Sequence, residues 1–210
     1  MAVRGCSLLL VLEIATLYSL IQIYVWHWQF TAPWFAWPIF MLLLATHVWR
    51  RDTLWSVGLD FHHFLPVLKQ GALAAIPFIL ALALIGALTG QIGLVPLKAR
   101  SFTPSLRYIL WATFQQYGLQ GYFHSRLMQV LSKPFWSSSV NALIFMSFHF
   151  PNPILMIFTL LGGFVFSLIY AKNRNIFALG IVHGLMGLLL SNCFPKEILH
   201  NMRVGPGYFR

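Results

Sequence analysis

The sequence predicts an all-α, polytopic helical membrane bundle of about seven transmembrane helices. Hydrophobic residues fill 59% of the 210 positions and charged residues only 9%, whereas an ordinary soluble domain carries about 25% charged residues. Apolar runs near the roughly 20 residues needed to cross a bilayer recur along the chain. Trp26, Trp28, Trp34, Trp37, Trp49 and Trp55 gather near the ends of the first runs, as an interfacial aromatic belt does.

The first run covers about residues 6–26. Arg4 flanks it, but no small-residue cleavage pattern follows and the run outlasts a signal-peptide core, so a retained span is expected. The second, about 33–49, is short. Between it and the third run (71–95), residues 50–66 mix Trp, Leu, Phe, His and charges, which reads as an interfacial loop or short amphipathic helix. His62 and His63 there are adjacent and would point about 100° apart on a helix, as surface residues rather than metal ligands. A polar connection over 98–107, with Pro104 and three cations, precedes the fourth run (108–131). The fifth run (135–150) and sixth (154–171) are joined by Pro151-Asn152-Pro153, a tight-turn sequence. The seventh covers 176–194, and the tail beyond Cys193 is expected to lack regular structure. Without a Gly/Ser linker, low-complexity tract or internal repeat, residues 1–210 read as one integral membrane domain.

The net charge of +10 comes with no basic stretch interleaved with aromatics, so nucleic acid is not an expected partner. Lys and Arg instead flank the runs and meet anionic head groups, making the lipid bilayer the first partner. They divide almost evenly between the two sides, which leaves orientation open. Cys6 and Cys193 fall at opposite ends of the bundle and read as free apolar thiols.

Polar groups inside a bilayer are costly, so each is a functional candidate. Gln116, Gln120 and His124 recur at i, i+4 and i+8 and form one helical stripe, with Gln115 beside it. Asn141, Phe145 and His149 share a face of the fifth run, and His183 lies near the middle of the seventh. At 1.5 Å per residue, Gln115 and His183 sit roughly 11 and 16 Å below the same membrane face, with His149 nearer to it. All of them are placed to converge in one half of the bilayer, with interhelical hydrogen bonding as the purely structural alternative.

These residues carry a resemblance to the CPBP membrane proteins, which include type II CAAX prenyl endopeptidases and bacteriocin-immunity relatives. That family's first motif, Glu-Glu-x-x-x-Arg, aligns with Gln115, Gln116 and Gln120, followed by Gly121. Its second, Phe-x-x-x-His, is intact as Phe145 and His149. Its third, His-x-x-x-Asn/Asp, keeps His183 but has Gly187. The resemblance covers about 108–190 and implies a helical endopeptidase of a bacterial or archaeal cell membrane. In it, a Glu and two His activate water to cut a membrane-associated peptide or protein. No cofactor is implied, and His149 and His183 are two metal ligands where a catalytic zinc takes three.

The site residues expected from the alignment are thus Gln115, Gln116, Gln120, His149 and His183. A carboxamide holds water by hydrogen bonds but cannot take its proton, a role worth about 10²–10⁴ in rate. The joint loss of acids and cation is self-consistent, because an isolated Arg in hydrocarbon is expensive. The sequence therefore predicts an impaired enzyme that binds a membrane-associated peptide or protein. The alternative is an active endopeptidase that uses His149 and His183, with Gln115 placing the water or Glu13 as base. Glu13 lies inside the first run, where an unpartnered carboxylate is protonated or matched. A small carrier is a third reading, disfavoured because paired broken helices are absent.

Overall fold

The computed structural model describes the backbone of residues 2–89 and 102–210, and the side chains of residues 8–88 and 103–210. Among these residues all regular structure is helical. Helix α1 (Ala2–Ile23) runs on into a π-helical turn, Tyr24–Trp28, and a 3₁₀ turn at Pro33–Phe35 leads into α2 (Ala36–Trp49). Helix α3 spans Phe64–Thr89. Helix α4 (Phe102–Gln116), a π-helical stretch (Tyr117–His124) and α5 (Ser125–Val130) follow one another without a break. Then come α6 (Pro134–Ser147), α7 (Pro153–Lys172), α8 (Ile176–Cys193) and the short α9 (Lys196–Leu199).

Four stretches are long and apolar enough to cross a membrane: Leu8–Trp28, Phe64–Leu88, Pro153–Lys172 and Ile176–Cys193. Pro33–Trp49 is apolar but shorter. The protein is an all-helical integral membrane protein, but about seven spans were expected and four qualify among the described residues. The difference has a physical cause: α4 to α6 carry the Gln, His, Ser and Asn side chains that dilute their apolarity.

Two boundaries move. Helix α3 starts at Phe64, ahead of the expected 71, because Pro66 falls in the first turn, where its missing N–H leaves no bond unmade. Helix α4 starts at Phe102, so Pro104 opens a helix instead of sitting in a connection. Residues 90–95 of the third run and 98–101 of that connection lie outside the described residues. The turn at Pro151-Asn152-Pro153 forms as expected: Asn152 N–H donates to the His149 carbonyl (2.9 Å). Asn152 Oδ1 then caps α7 by accepting from Leu155 N–H (3.2 Å), and Asn175 caps α8 through Ala178 N–H (2.8 Å). Each satisfies an N–H that a helix start leaves open.

Besides a packet of Leu82, Leu155, Leu190, Cys193 and Leu199, the core has two others. Val67, Tyr170, Ile176, Leu179 and Val182 pack α3, α7 and α8 together. Leu17, Leu43, Tyr122 and Phe123 join α1, α2 and the π-helical stretch. Beside the second packet is a charged cluster that the sequence reading did not assemble. Glu13 accepts from Arg126 Nε (2.9 Å) and pairs with Arg50 (2.5 Å). Arg126 also reaches Asp52 (2.6 Å), which pairs with His47 Nδ1 (2.7 Å). Burial opposes ionisation of Asp52, but hydrogen bonds from Arg126 and His47 outweigh it and hold the carboxyl below its ordinary range. Glu13 is thus matched, and Arg126, expected as a flanking cation, is 1% exposed.

The tail is also ordered. Pro195 precedes α9, 3₁₀ turns follow at His200–Met202 and Gly205–Phe209, and the segment packs back on the bundle. Cys193 is a free, buried thiol, whereas the Cys6 side chain lies outside the described residues.

Candidate functional site

Small residues set how closely the two site-bearing helices approach. Helix α8 presents Gly180, Gly184 and Gly187 to α4. A Cβ at Gly180 would lie 2.6 Å from Thr113 Cα, and one at Gly184 2.9 Å from Ile109 Cα. Backbone contact of this kind is how glycines pack membrane helices together. Gly187, where the expected motif has Asn or Asp, is filled from the other side: the Tyr108 hydroxyl occupies the space a side chain there would need.

We expect Gly180→Ala to destabilise the bundle by about 1–3 kcal/mol through overpacking, because the clash is with backbone that cannot turn aside. Thermal denaturation of the detergent-solubilised variant checks this. Gly162→Ala, with nothing within 4 Å of the added methyl, is the control expected to leave the transition in place.

The close approach of α4 and α8 brings Gln116 to His183. The carboxamide donates from Nε2 to His183 Nδ1 (3.1 Å), which leaves the His183 proton on Nε2. Gln116 is fully buried, and its Oε1 has no partner among the described residues. His149 lies in the turn after α6 and bonds through Nδ1 to the Phe145 carbonyl (2.8 Å). A carbonyl only accepts, so His149 carries its proton on Nδ1 and keeps Nε2 as an acceptor. Phe145 meets both imidazoles edge-on, with centroids 4.8 Å from His149 and 5.7 Å from His183. One ring thereby sets the spacing of the two histidines.

Gln115, Gln116, His149 and His183 all line one cavity of about 870 Å³, together with Tyr108 and Gly187. Its wall is otherwise mostly apolar and aromatic, so the polar groups open onto a large, greasy chamber. Half-exposed Trp111 and Leu161 belong to the wall, which carries it to the outer surface of the bundle. Among the described residues that line it there is no Asp, Glu, Lys or Arg.

Gln120 is elsewhere. It is fully buried on the same stripe, but its amide donates to Ser167 Oγ (3.2 Å) and accepts from Asn141 Nδ2 (3.3 Å). It therefore joins α4's π-helical continuation to α6 and α7 without lining the cavity. His124, further along, meets Ser137 Oγ (3.3 Å) and Ser138 Oγ (3.4 Å) through Nε2. The stripe of Gln116, Gln120 and His124 is real as a buried face, and only its first member reaches the chamber.

Glu13, weighed as a substitute base, does not line the chamber: both its oxygens are held by Arg50 and Arg126. Sequence reasoning missed Tyr108, although it precedes Gln115 by seven residues and so shares a helical face with it. It also missed the tail residues Met202 and Val204 in the cavity wall, which carry no motif.

A family model described as type II CAAX prenyl endopeptidase Rce1-like matches residues 101–189. No curated protein and no solved structure matches the chain. The match begins with α4, ends in α8 and so takes in Gln115, Gln116, Phe145, His149 and His183. Over residues 101–189, this helical membrane protein is thus similar to the Rce1-like family of type II CAAX prenyl endopeptidases.

Proposed function

We propose that the protein binds membrane-associated peptides or proteins in the α4–α8 cavity and hydrolyses them poorly, in a bacterial or archaeal cell membrane. The observation that carries this reading is the absence of any carboxylate among the described residues lining the cavity that holds His149 and His183. Water between the imidazoles and Gln116 would find hydrogen-bond partners, but a carboxamide has no basic lone pair to accept its proton. Of the four acids in the chain, Glu13 and Asp52 are engaged by arginines on the far side of the π-helical stretch. In this reading the catalytic set is Gln115, Gln116, His149 and His183, with Gln120 supporting them through Asn141 and Ser167.

A second reading has one observation in its favour. The Phe145 carbonyl fixes the His149 tautomer with Nε2 unprotonated, which is the form a general base requires. In that case the protein is an active endopeptidase with an imidazole base.

Proteolysis in lipid vesicles against prenylated and transmembrane peptides separates the two. Impairment predicts little or no product from the native chain, and the same from His149→Ala. Robust turnover that disappears in His149→Ala would establish the second reading and remove the first.

A further inference from the structure

The C-terminal segment crosses the end of the cavity that carries His149. His200, Asn201 and Met202 follow one another with φ of 50°, 51° and 59°, a left-handed run disfavoured for residues with a Cβ. Such a conformation persists only where its surroundings over-determine it. Here Asn152 grips both ends, its Nδ2 donating to the carbonyls of Leu199 (2.9 Å) and Arg203 (3.3 Å).

Past this turn the chain is extended at Arg203 (φ −77°, ψ 150°) and Val204 (φ −132°, ψ 166°). The Val204 carbonyl accepts from Gln29 Nε2 (3.3 Å), and Gly205 N–H donates to the Phe150 carbonyl (2.9 Å). Met202 and Val204, two residues apart, are part of the cavity wall alongside His149. Main-chain N–H and C=O groups that supply the hold while side chains meet apolar surface are the division of labour by which proteins take up peptides. The groups doing the holding are Phe150 and Asn152, in the same turn as His149, and Gln29 opposite.

We propose that Gln29, Phe150 and Asn152 form the main-chain seat for a short peptide segment that leaves a turn, runs extended for two residues and sets two apolar side chains, at i and i+2, against the wall, and that residues 202–205 occupy it as an intramolecular competitor. The peptide that enters displaces the tail and lays its backbone beside the His149 imidazole. This rests on the peptide-binding reading of the same cavity and adds where the peptide's main chain is held and what must leave first.

Two variants of the full chain release the tail at different points. Gly205→Val puts a side chain at φ +56°, where its Cβ would meet Val25 Cγ1 at 2.9 Å. Val204→Asp places a carboxylate in the apolar wall. Tryptic cleavage after the exposed Arg203 reports release. Fluorescence anisotropy of a labelled peptide with the chain's own 199–206 sequence, on detergent-solubilised protein, reports occupancy of the seat. Each variant is expected to be cut faster and to bind the peptide about tenfold more tightly than the native chain, since a competitor lowers apparent affinity by the fraction of seats left open. Adding Gln29→Ala to either variant should return affinity towards the native value. Faster cleavage with unchanged affinity, binding indifferent to Gln29→Ala, or no faster cleavage in either variant each overturns the proposal. None of these readouts involves hydrolysis, so a failure here is distinct from the vesicle result for impaired turnover.

Discussion

Arg126→Met is expected to destabilise the protein by about 3–5 kcal/mol, the cost of breaking a buried ion pair by removing one partner. The guanidinium is 1% exposed and bonds at once to Glu13 and Asp52, so its loss strips a cation from two low-dielectric carboxylates. Methionine keeps much of the volume, which leaves charge as the main thing removed. Arg50 and His47 still contact the acids, and they keep the loss from being larger. Thermal denaturation in detergent reads the effect. A double-mutant cycle with Glu13→Gln should show strong coupling, the second change costing far less once the first is in place. Additive losses would mean that the cluster is not one network.

The largest effect on chemistry is expected from restoring charge to the cavity. The triple variant Gln115→Glu, Gln116→Glu, Gln120→Arg should raise hydrolysis of a membrane-associated peptide by about 10²–10⁴ over the native chain. A carboxylate at 116 would stand where the carboxamide now lies 3.1 Å from His183 Nδ1, within reach of a water held by the imidazoles. Arginine at 120 would replace an amide held by Asn141 and Ser167. It is included because two new acids without a cation would be costly at this depth. The check is product formation in vesicles with the folded variant. A folded triple variant that cuts no faster than the native chain would show that more than the acids is missing, and Gly187, with the Tyr108 hydroxyl filling its space, is then the next difference to address.

Much of this architecture was legible in the sequence, and the reasons are local. Long apolar runs become helices in lipid because every backbone group must be satisfied within the segment. The depth arithmetic set Gln115 and His183 near the same membrane face, and both side chains line one cavity. The turn at Asn152 was legible because two prolines leave few conformations. Other features depend on pairs far apart in sequence. Arg126 read as a head-group cation because nothing nearby marked it as the partner of Glu13, 113 residues away. The motif assigned Gln120 to the site, but its amide bonds to Asn141 of α6 and Ser167 of α7 and lies outside the cavity. The tail carries neither periodicity nor motif, and its order comes from hydrogen bonds donated by Asn152 and Gln29.

The π-helical stretch Tyr117–His124 joins the Gln116 end of its rod to the Arg126 end. A wider winding of this kind is commonly one extra residue accommodated without breaking the helix. In an undistorted α-helix, each residue inserted or lost would swing one end about 100° relative to the other. The bulge works like a gear between two dials: the ionic end can stay locked to α1 while the amide end is phased independently towards α8. A change of length within these eight residues would therefore re-aim the chamber side chains relative to the ionic anchor.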